Sequence, residues 1–486
     1  MDLEQKISFW KNRAQFRYWY LLNLLLCGFC FINPLMEAAK MLLFIWSLPL
    51  LIRLIFVEKA YTTLPFHKTI ALFMTAGLAT IVLHADGYFV FNFVLWYHTG
   101  LCLVLLYGDC ARRSWKENKP ELIRILKAVV VVMTAATAAG LLIVLVCVRI
   151  YALDRVVGLM DNRYVGLFMN PNHAAFTSVI AIIGAHFLYR QGKGMGGSYP
   201  LPLWLLWLCA GLNLLAVLLS DSNASLLLLL GYVAVQFFFK AFPRGLSLGK
   251  GVVNALCLLL ACITLALGTL GGRMLVQKGV GALISGRQQV VIGDTINPTV
   301  LPDENGELNN KPIAGGVGEV EIGRTEPTNG GDVTSGRIDS LKKAVQVFLH
   351  YPVFGVGYCN IVSYSERLLP EPLLFADIHN GYMTILVSQG AVGFLFFLVF
   401  FVGQFVLLLR NAFRKREKNA LLLLAFLLSY CVFSLLEIAL LLYINYPVVI
   451  FWGLLGFAAS QARCTDVQET PLARNGKEGR LQKINE

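Results

Sequence analysis

The sequence is poor in charge. Asp, Glu, Lys and Arg make up only 14% of its 486 residues, against about 25% in a soluble domain. Hydrophobic residues reach 57% and the mean hydropathy is +0.65, which excludes an ordinary soluble globular chain. Cysteine is present eleven times, but nearly all copies lie in apolar runs. The one long polar loop holds only Cys359, so no disulfide can form within it. Cys27-Gly28-Phe29-Cys30 has redox spacing yet sits in an apolar helix, where small buried thiols are the simpler reading. No Cys/His set has zinc-site spacing. There is no six-plus-six repeat of the kind transporters carry. Despite a net charge of +12, no basic patch interleaved with aromatics marks a nucleic-acid partner.

Long apolar runs are abundant instead. Runs of about 17 to 25 residues, each able to cross ~30 Å of hydrocarbon, recur about twelve times. They fall near 18–36, 41–57, 69–85, 88–108, 127–150, 172–190, 200–219, 224–243, 251–271, 382–409, 420–443 and 446–462. The first is too long for a cleavable signal and leads straight into a second. Basic residues gather in every second loop, as with Arg13 and Arg17, Arg112 to Lys119, Arg190 and Lys193, Lys240 to Lys250, and Arg410 to Lys418. Such loops stay in the cytoplasm, which places both termini there. The expected fold is an all-α polytopic membrane protein with about twelve transmembrane helices. Spans one to nine occupy 1–271, an extracytoplasmic loop 272–381, spans ten to twelve 382–462, and a cytoplasmic tail 463–486.

Within the loop, 288–332 is rich in Gly, Asn, Pro and acid and reads as a flexible insertion, with a hairpin near Val317 to Ile322. Over 335–350, Ile338, Leu341, Val345, Phe348 and Leu349 recur at helical spacing before Pro352, which predicts an amphipathic helix at the membrane interface. Arg337 sits in its first turn, where a cation opposes the helix dipole. A residue placed against a local rule is a candidate for function. Gly355-Val356-Gly357 supplies a tight turn. His379-Asn380 then opens the next apolar run. At 100° per residue Gly390 and Gly393 lie about 20° and 40° from His379, predicting one smooth helical face beneath the imidazole. A capping His-Asn pair followed by packing glycines is the alternative.

The pattern His379-Asn380, nine residues, then Gly390-Ala391-Val392-Gly393-Phe394 resembles the signature of the bacterial O-antigen ligase and O-antigen polymerase superfamily. Two further segments extend the resemblance. One is Arg163-Tyr164-Val165-Gly166-Leu167-Phe168-Met169-Asn170-Pro171-Asn172; the other runs from Ser335-Gly336-Arg337 through Tyr351-Pro352-Val353-Phe354-Gly355-Val356-Gly357. There is one departure. The family often has Ser-x-Ser-Arg between the seventh and eighth spans, whereas this chain has Ser220-Asp221-Ser222-Asn223.

The resemblance implies a glycosyltransferase of cell-surface polysaccharide biosynthesis in the bacterial inner membrane. It would move a glycan from an undecaprenyl diphosphate-type carrier to a sugar or lipid acceptor on the extracytoplasmic face. Arg163 and Arg337 would meet the diphosphate, assisted by Asn170, Asn172 and Asn380, because guanidinium groups stay ionised and donate in a fork. His379 would take the acceptor's proton or position the acceptor, and Gly355, Gly357, Gly390 and Gly393 would shape the backbone. No Asp-x-Asp stands on an exterior loop, so a metal-independent, inverting transfer without cofactor is expected. The expected partners are the lipid-linked donor, the acceptor, membrane lipids and a candidate chain-length regulator, with no nucleic acid. A transporter or flippase of a lipid-linked saccharide is the rival reading. Glu437, in the outer half of the eleventh run, either pairs with an arginine or faces the acceptor. His98 reads as a packing residue, Arg53 as a snorkelling one, and His173 as a candidate for the site lining.

Overall fold

The computed structural model describes residues 11–85, 87–152, 155–160, 162–242, 248–284, 290–292, 322, 336–376, 378–415 and 417–467. In chain order the elements are helices α1 (Arg13–Leu26), α2 (Asn33–Ile52), α3 (His67–Leu83), α4 (Phe89–Leu101) and α5 (Trp115–Leu145). Strands β1 (Val148–Ala152), β2 (Arg155–Met160) and β3 (Arg163–Gly166) follow. Then come α6 (Pro171–Gly194), α7 (Leu203–Leu219), α8 (Asn223–Ala241), α9 (Leu248–Ile284), β4 (Val290–Ile292), α10 (Arg337–His350), α11 (Ile361–Leu368), α12 (Gly381–Lys415), α13 (Lys418–Phe433) and α14 (Tyr446–Val467).

Among the described residues, six stretches are long and apolar enough to cross a membrane: Asn33–Val57, Phe89–Arg112, Trp115–Leu145, Asn223–Ala241, Gly249–Ile284 and Gly381–Arg414. Four shorter apolar helices accompany them: His67–Leu83, Leu203–Leu219, Lys418–Phe433 and Tyr446–Ala462. The protein is a helical multipass membrane protein. Among the twelve expected spans, α1 is only 14 residues long. The 24-residue α6 carries His173, His186, Arg190, Gln191 and Lys193 and is not among the apolar set. Both are shorter or more polar than their sequence windows suggested.

The chain divides into two compact units. The first comprises residues 1–18, 44–122 and 334–486. Here α3 and α14 pack along α12. Two buried polar pairs illustrate how such groups are satisfied away from water: Tyr107 Oη donates to Gln404 Oε1 at 2.8 Å, and Trp452 Nε1 donates to the Leu440 carbonyl at 2.6 Å. At one end Arg17, only 1% exposed, forks onto Glu121 through Nε (2.6 Å) and Nη2 (2.8 Å) and also pairs with Asp109. At the other, the amphipathic helix α10 buries Ala344 and Val347 with Val356, Ile361, Tyr364, Leu373, Ile378 and Val387 in a small core of its own. Of the apolar set foreseen for α10, Leu341 and Phe348 join that core, while Ile338 and Leu349 are exposed. The helix therefore docks on the loop that follows it and turns only its outer edge outward.

The second unit comprises residues 19–43 and 123–333. Helices α6 and α7 form its main pair, with α8 and α9 against them. The stretch from 148 folds into strands rather than remaining a bare loop, because Val, Ile, Tyr and Leu are close-spaced there. The sheet has the order β3-β2-β1-β4, with β1 antiparallel to β2 and parallel to β4, and β2 antiparallel to β3. Asn162, at φ 58°, helps turn β2 into β3. Helix α9 also differs from expectation. The exterior loop was placed from 272, but α9 continues through Gly268, Gly271 and Gly272 to Ile284, since no proline or cap stops it. The acidic insertion at 288–332 and its hairpin near Val317 to Ile322 lie outside the described residues, apart from 290–292 and Ile322. So does the tail beyond 467.

Candidate active site

In the first unit the site is built at the junction where α12 begins. Asn380 caps that helix: its Oδ1 accepts from the Tyr382 and Met383 amides at 3.1 and 2.9 Å. Its Nδ2 donates to the Leu435 carbonyl at 3.2 Å, and the Gly381 amide donates to the Ser434 carbonyl at 2.8 Å. The start of α12 is thereby clamped to the segment after α13. His379 precedes the cap at φ 51°, a left-handed turn outside the helix.

That clamp delivers Glu437. The eleventh run was read as helical to 443, but α13 ends at Phe433 and 434–445 is irregular. Irregular backbone buried away from water persists only when protein groups satisfy it. Tyr430 Oη reaches the Ala439 and Pro447 carbonyls at 2.8 and 2.7 Å, and Trp452 takes Leu440 as above. Glu437 Oε1 accepts from Arg337 Nη2 at 3.1 Å, while Oε2 stands 3.7 Å from His379 Nδ1. Its side chain is 17% exposed, that of Arg337 28% and that of His379 35%. The three form one line, with the carboxylate in the middle. The arginine at the N-terminus of α10 thus offsets its unfavourable place on the helix dipole with an ion pair.

Two glycine motifs meet beneath this line. Gly390 has φ 64° and ψ −174°, a non-helical conformation that breaks α12. The expected smooth face from His379 through Gly390 to Gly393 therefore does not exist: His379 is outside the helix and Gly390 interrupts it. The break frees backbone groups, and the segment after α10 takes them. Val356 N donates to the Val387 carbonyl (3.1 Å), Gly357 N to Ser388 (2.9 Å), Ala391 N to Pro352 (2.7 Å) and Val392 N to Val353 (3.1 Å). A Cβ at Gly355 or Gly390 would run into that facing backbone. Gly393 makes room for the Gln389 side chain.

The second unit holds the other arginine. Arg163 opens β3, and its Nε donates to the Ser220 carbonyl at 2.8 Å, its Nη2 to Asn172 Oδ1 at 3.0 Å and to the Asp221 carbonyl at 3.4 Å. Asn170 is the N-cap of α6, accepting from the Asn172 amide at 2.7 Å, with Pro171 in the first turn. Phe168 is buried on Phe29 with ring centroids 4.6 Å apart, and the Phe29 and Phe168 strands form a bridge. In this motif, then, Asn170 starts the helix, Asn172 orients the arginine and Phe168 anchors the turn. His173 packs beside Gly28.

The turn Ser220-Asp221-Ser222-Asn223, with Asp221 at φ 53°, receives a residue that the sequence reading did not single out. Arg273, on α9, has Nη1 at 2.7 Å from Asp221 Oδ1 and donates to Asn223 Oδ1 at 2.9 Å. One turn on, Gln277 Nε2 donates to the Leu218 carbonyl at 3.1 Å. The only signal in the sequence was a lone arginine after a run of glycines.

The secondary candidates separate clearly. His98 is fully buried, 3.6 Å from Cys102 Sγ and edge-on to Phe44, as a packing residue would be. Arg53 pairs with Glu58 at 3.1 Å. Among the described residues no group of three or more His, Cys, Asp or Glu side chains could hold a metal ion.

Residues 206–398 match the family model described as O-antigen ligase. The matched stretch contains the Ser220 turn, Arg273, Arg337, both glycine motifs and His379, while Arg163 to Asn172 precedes it. No curated protein matches the chain. The resemblance to the O-antigen ligase superfamily thus rests on the family match as well as on the motifs.

Proposed function

We propose that the protein transfers a glycan from a polyprenyl diphosphate carrier to an acceptor hydroxyl on the outer face of the bacterial inner membrane, as an O-antigen ligase or a repeat-unit polymerase. Twelve spans with both termini in the cytoplasm would put the loop carrying Arg337 and His379 on that face. The observation that carries the reading is that Glu437 joins Arg337 and His379 at the start of α12, both of which lie inside the stretch matching the O-antigen ligase family.

In the proposed reaction the acceptor oxygen attacks the anomeric carbon as the bond from that carbon to the diphosphate oxygen breaks. The configuration inverts. His379 takes the hydroxyl proton, and Glu437 beside it stabilises the imidazolium that forms. The electron pair leaves on the diphosphate, whose growing charge calls for guanidinium groups; Arg337 is the candidate of the first unit, and Arg163 with the helix-capping region of Asn170 and Asn172 that of the second. Asn380 fixes the backbone that presents His379. Because guanidinium groups carry the leaving-group charge, no metal is needed. The lipid-linked donor and the acceptor are the partners, and a chain-length regulator is a further candidate.

The test is reconstitution of the purified protein in liposomes with lipid-diphosphate-linked repeat units and no nucleotide sugar. A ladder of products lost in His379→Ala would establish a polymerase, and a single transferred glycan appearing only with added acceptor would establish a ligase. Loss of the general base should lower the rate by about 10² to 10⁴. Transport of intact carrier without transfer would sink the reading in favour of a flippase.

A further inference from the structure

The geometry points to Arg273 as a second guanidinium for the donor's diphosphate, held at the Ser220 to Asn223 turn; this rests on the glycan-transfer reading above. Position 223, where the resembled family often has arginine, is Asn in this chain. Its side chain instead accepts from a guanidinium delivered 50 residues later by α9.

The local charge balance supports anion binding. Arg163 contacts the carbonyls of Ser220 and Asp221, and Arg273 contacts the side chains of Asp221 and Asn223, so two guanidinium groups share one short turn with a single carboxylate. The first turn of α8 adds its amides. Ser222, at the N-cap, makes no side-chain bond to them and bonds Ser225 Oγ at 3.1 Å instead. The Arg273 side chain is 19% exposed, and its Nε is buried without a hydrogen-bond partner among the described residues. A guanidinium has five donors in a fork that matches phosphate oxygens. In the free protein Asp221 holds Arg273 in place, and a diphosphate competes with that carboxylate for it.

The proposal separates from a plain tether of α9 by its response to Asp221. The experiment titrates farnesyl diphosphate into the detergent-purified full chain, with farnesyl monophosphate as comparator. For wild type, Arg273→Ala, Arg273→Gln, Asp221→Asn and Arg273→Ala with Asn223→Arg, both binding and thermal midpoint are measured. Loss of a charge-assisted contact should weaken diphosphate binding by about tenfold or more in both Arg273 variants. The monophosphate should be affected less. Asp221→Asn should bind the diphosphate more tightly, and Asn223→Arg should restore binding in the Arg273→Ala background by returning a guanidinium to the turn. If Asp221→Asn weakens binding as much as Arg273→Ala, or if the relocated arginine rescues nothing, Arg273 is only a tether and the inference fails. Should Arg273→Ala not fold, Arg273→Gln and Asp221→Asn decide the matter with the same signs. A wild-type protein that does not prefer the diphosphate over the monophosphate would overturn the donor assignment itself, a different failure from equal binding by wild type and the Arg273 variants.

Discussion

The helix break at Gly390 is the feature on which the site's shape depends most directly, so Gly390→Ala is the sharpest perturbation. At φ 64° and ψ −174° the backbone occupies a region that is essentially reserved for glycine. An added methyl group also meets the Val353 carbonyl and the Gly355 amide, neither of which can rotate away as a side chain could. The strain alone costs about 1 to 3 kcal/mol. Relief requires moving the 352–357 segment, which forfeits up to four backbone hydrogen bonds at about 1 kcal/mol each. A local destabilisation of about 3 to 4 kcal/mol accelerates amide exchange by roughly 10² to 10³. Hydrogen exchange read by mass spectrometry in detergent should therefore show fast exchange at Val356, Gly357, Ala391 and Val392, with protection retained in α13 and α14. Arg337 is tied to the same segment through α10, so glycan transfer should fall as well. Unchanged protection of those four amides in a folded Gly390→Ala protein would refute the account of how the two glycine motifs work together.

Three further outcomes follow from the first unit. Glu437→Gln keeps a hydrogen-bond acceptor for Arg337 but removes the charge beside His379; it should lower transfer about tenfold or more, with an altered pH–rate profile, and identical profiles would remove Glu437 from the mechanism. Arg17→Ala leaves Asp109 and Glu121 buried with reduced compensation. Arg13 still reaches Asp109 (3.1 Å) and Arg113 still reaches Glu121 (2.7 Å), so the loss should lie near the lower end of about 3 to 5 kcal/mol, read as a lowered thermal midpoint that Arg17→Lys does not restore. Glu58 is pushed up by burial, but hydrogen bonds from Arg13 and Arg112 more than reverse this and hold its carboxyl below the usual range. Its folded pKa is depressed, so its contribution is present above the unfolded value of about 4.3 and disappears as pH falls through the folded value. Glu58→Gln should accordingly flatten the acid limb of the stability–pH curve, which a thermal-shift series from pH 3 to 7 would check.

Much of this architecture was legible because membrane insertion imposes a simple rule on composition. Apolar length marks helices such as α5 and α12, and the sparse polar residues stand out against that background. Arg337, His379 and the Asn-Pro-Asn turn were visible for that reason. Less legible was anything decided by what fills a neighbour's backbone valence. The glycines at 390 and 393 fit a helical wheel perfectly well, and only the arrival of Pro352 to Gly357 shows that the helix breaks there instead. Glu437 looked helical because Leu435, Leu436, Ile438 and Leu440 are apolar; Trp452, which satisfies the Leu440 carbonyl, lies in the next run, and the sequence does not show that the Tyr430 hydroxyl turns onto the Ala439 carbonyl. The strands at 148–166 were hidden by their shortness beside the long apolar runs.

The arginine question shows where reading along the chain fails in principle. A motif search compares position with position, and by that measure Asn223 lacks a cation. Electrostatics depends on separation in space, and a 37-residue helix carries Arg273 back to the same turn. Two facts make this more than a coincidence of packing. The helix runs past three glycines where a loop was expected, so Arg273 is fixed on regular backbone, and Gln277 one turn later ties that part of the helix to the end of α7. If the turn needed no cation, Asp221 could be removed together with Arg273 at little cost, since replacing both members of a partly buried pair is often nearly neutral. The proposed role demands the opposite: a folded Asp221→Asn/Arg273→Gln protein should still bind the diphosphate poorly, because what the site has lost is the guanidinium and not the salt bridge.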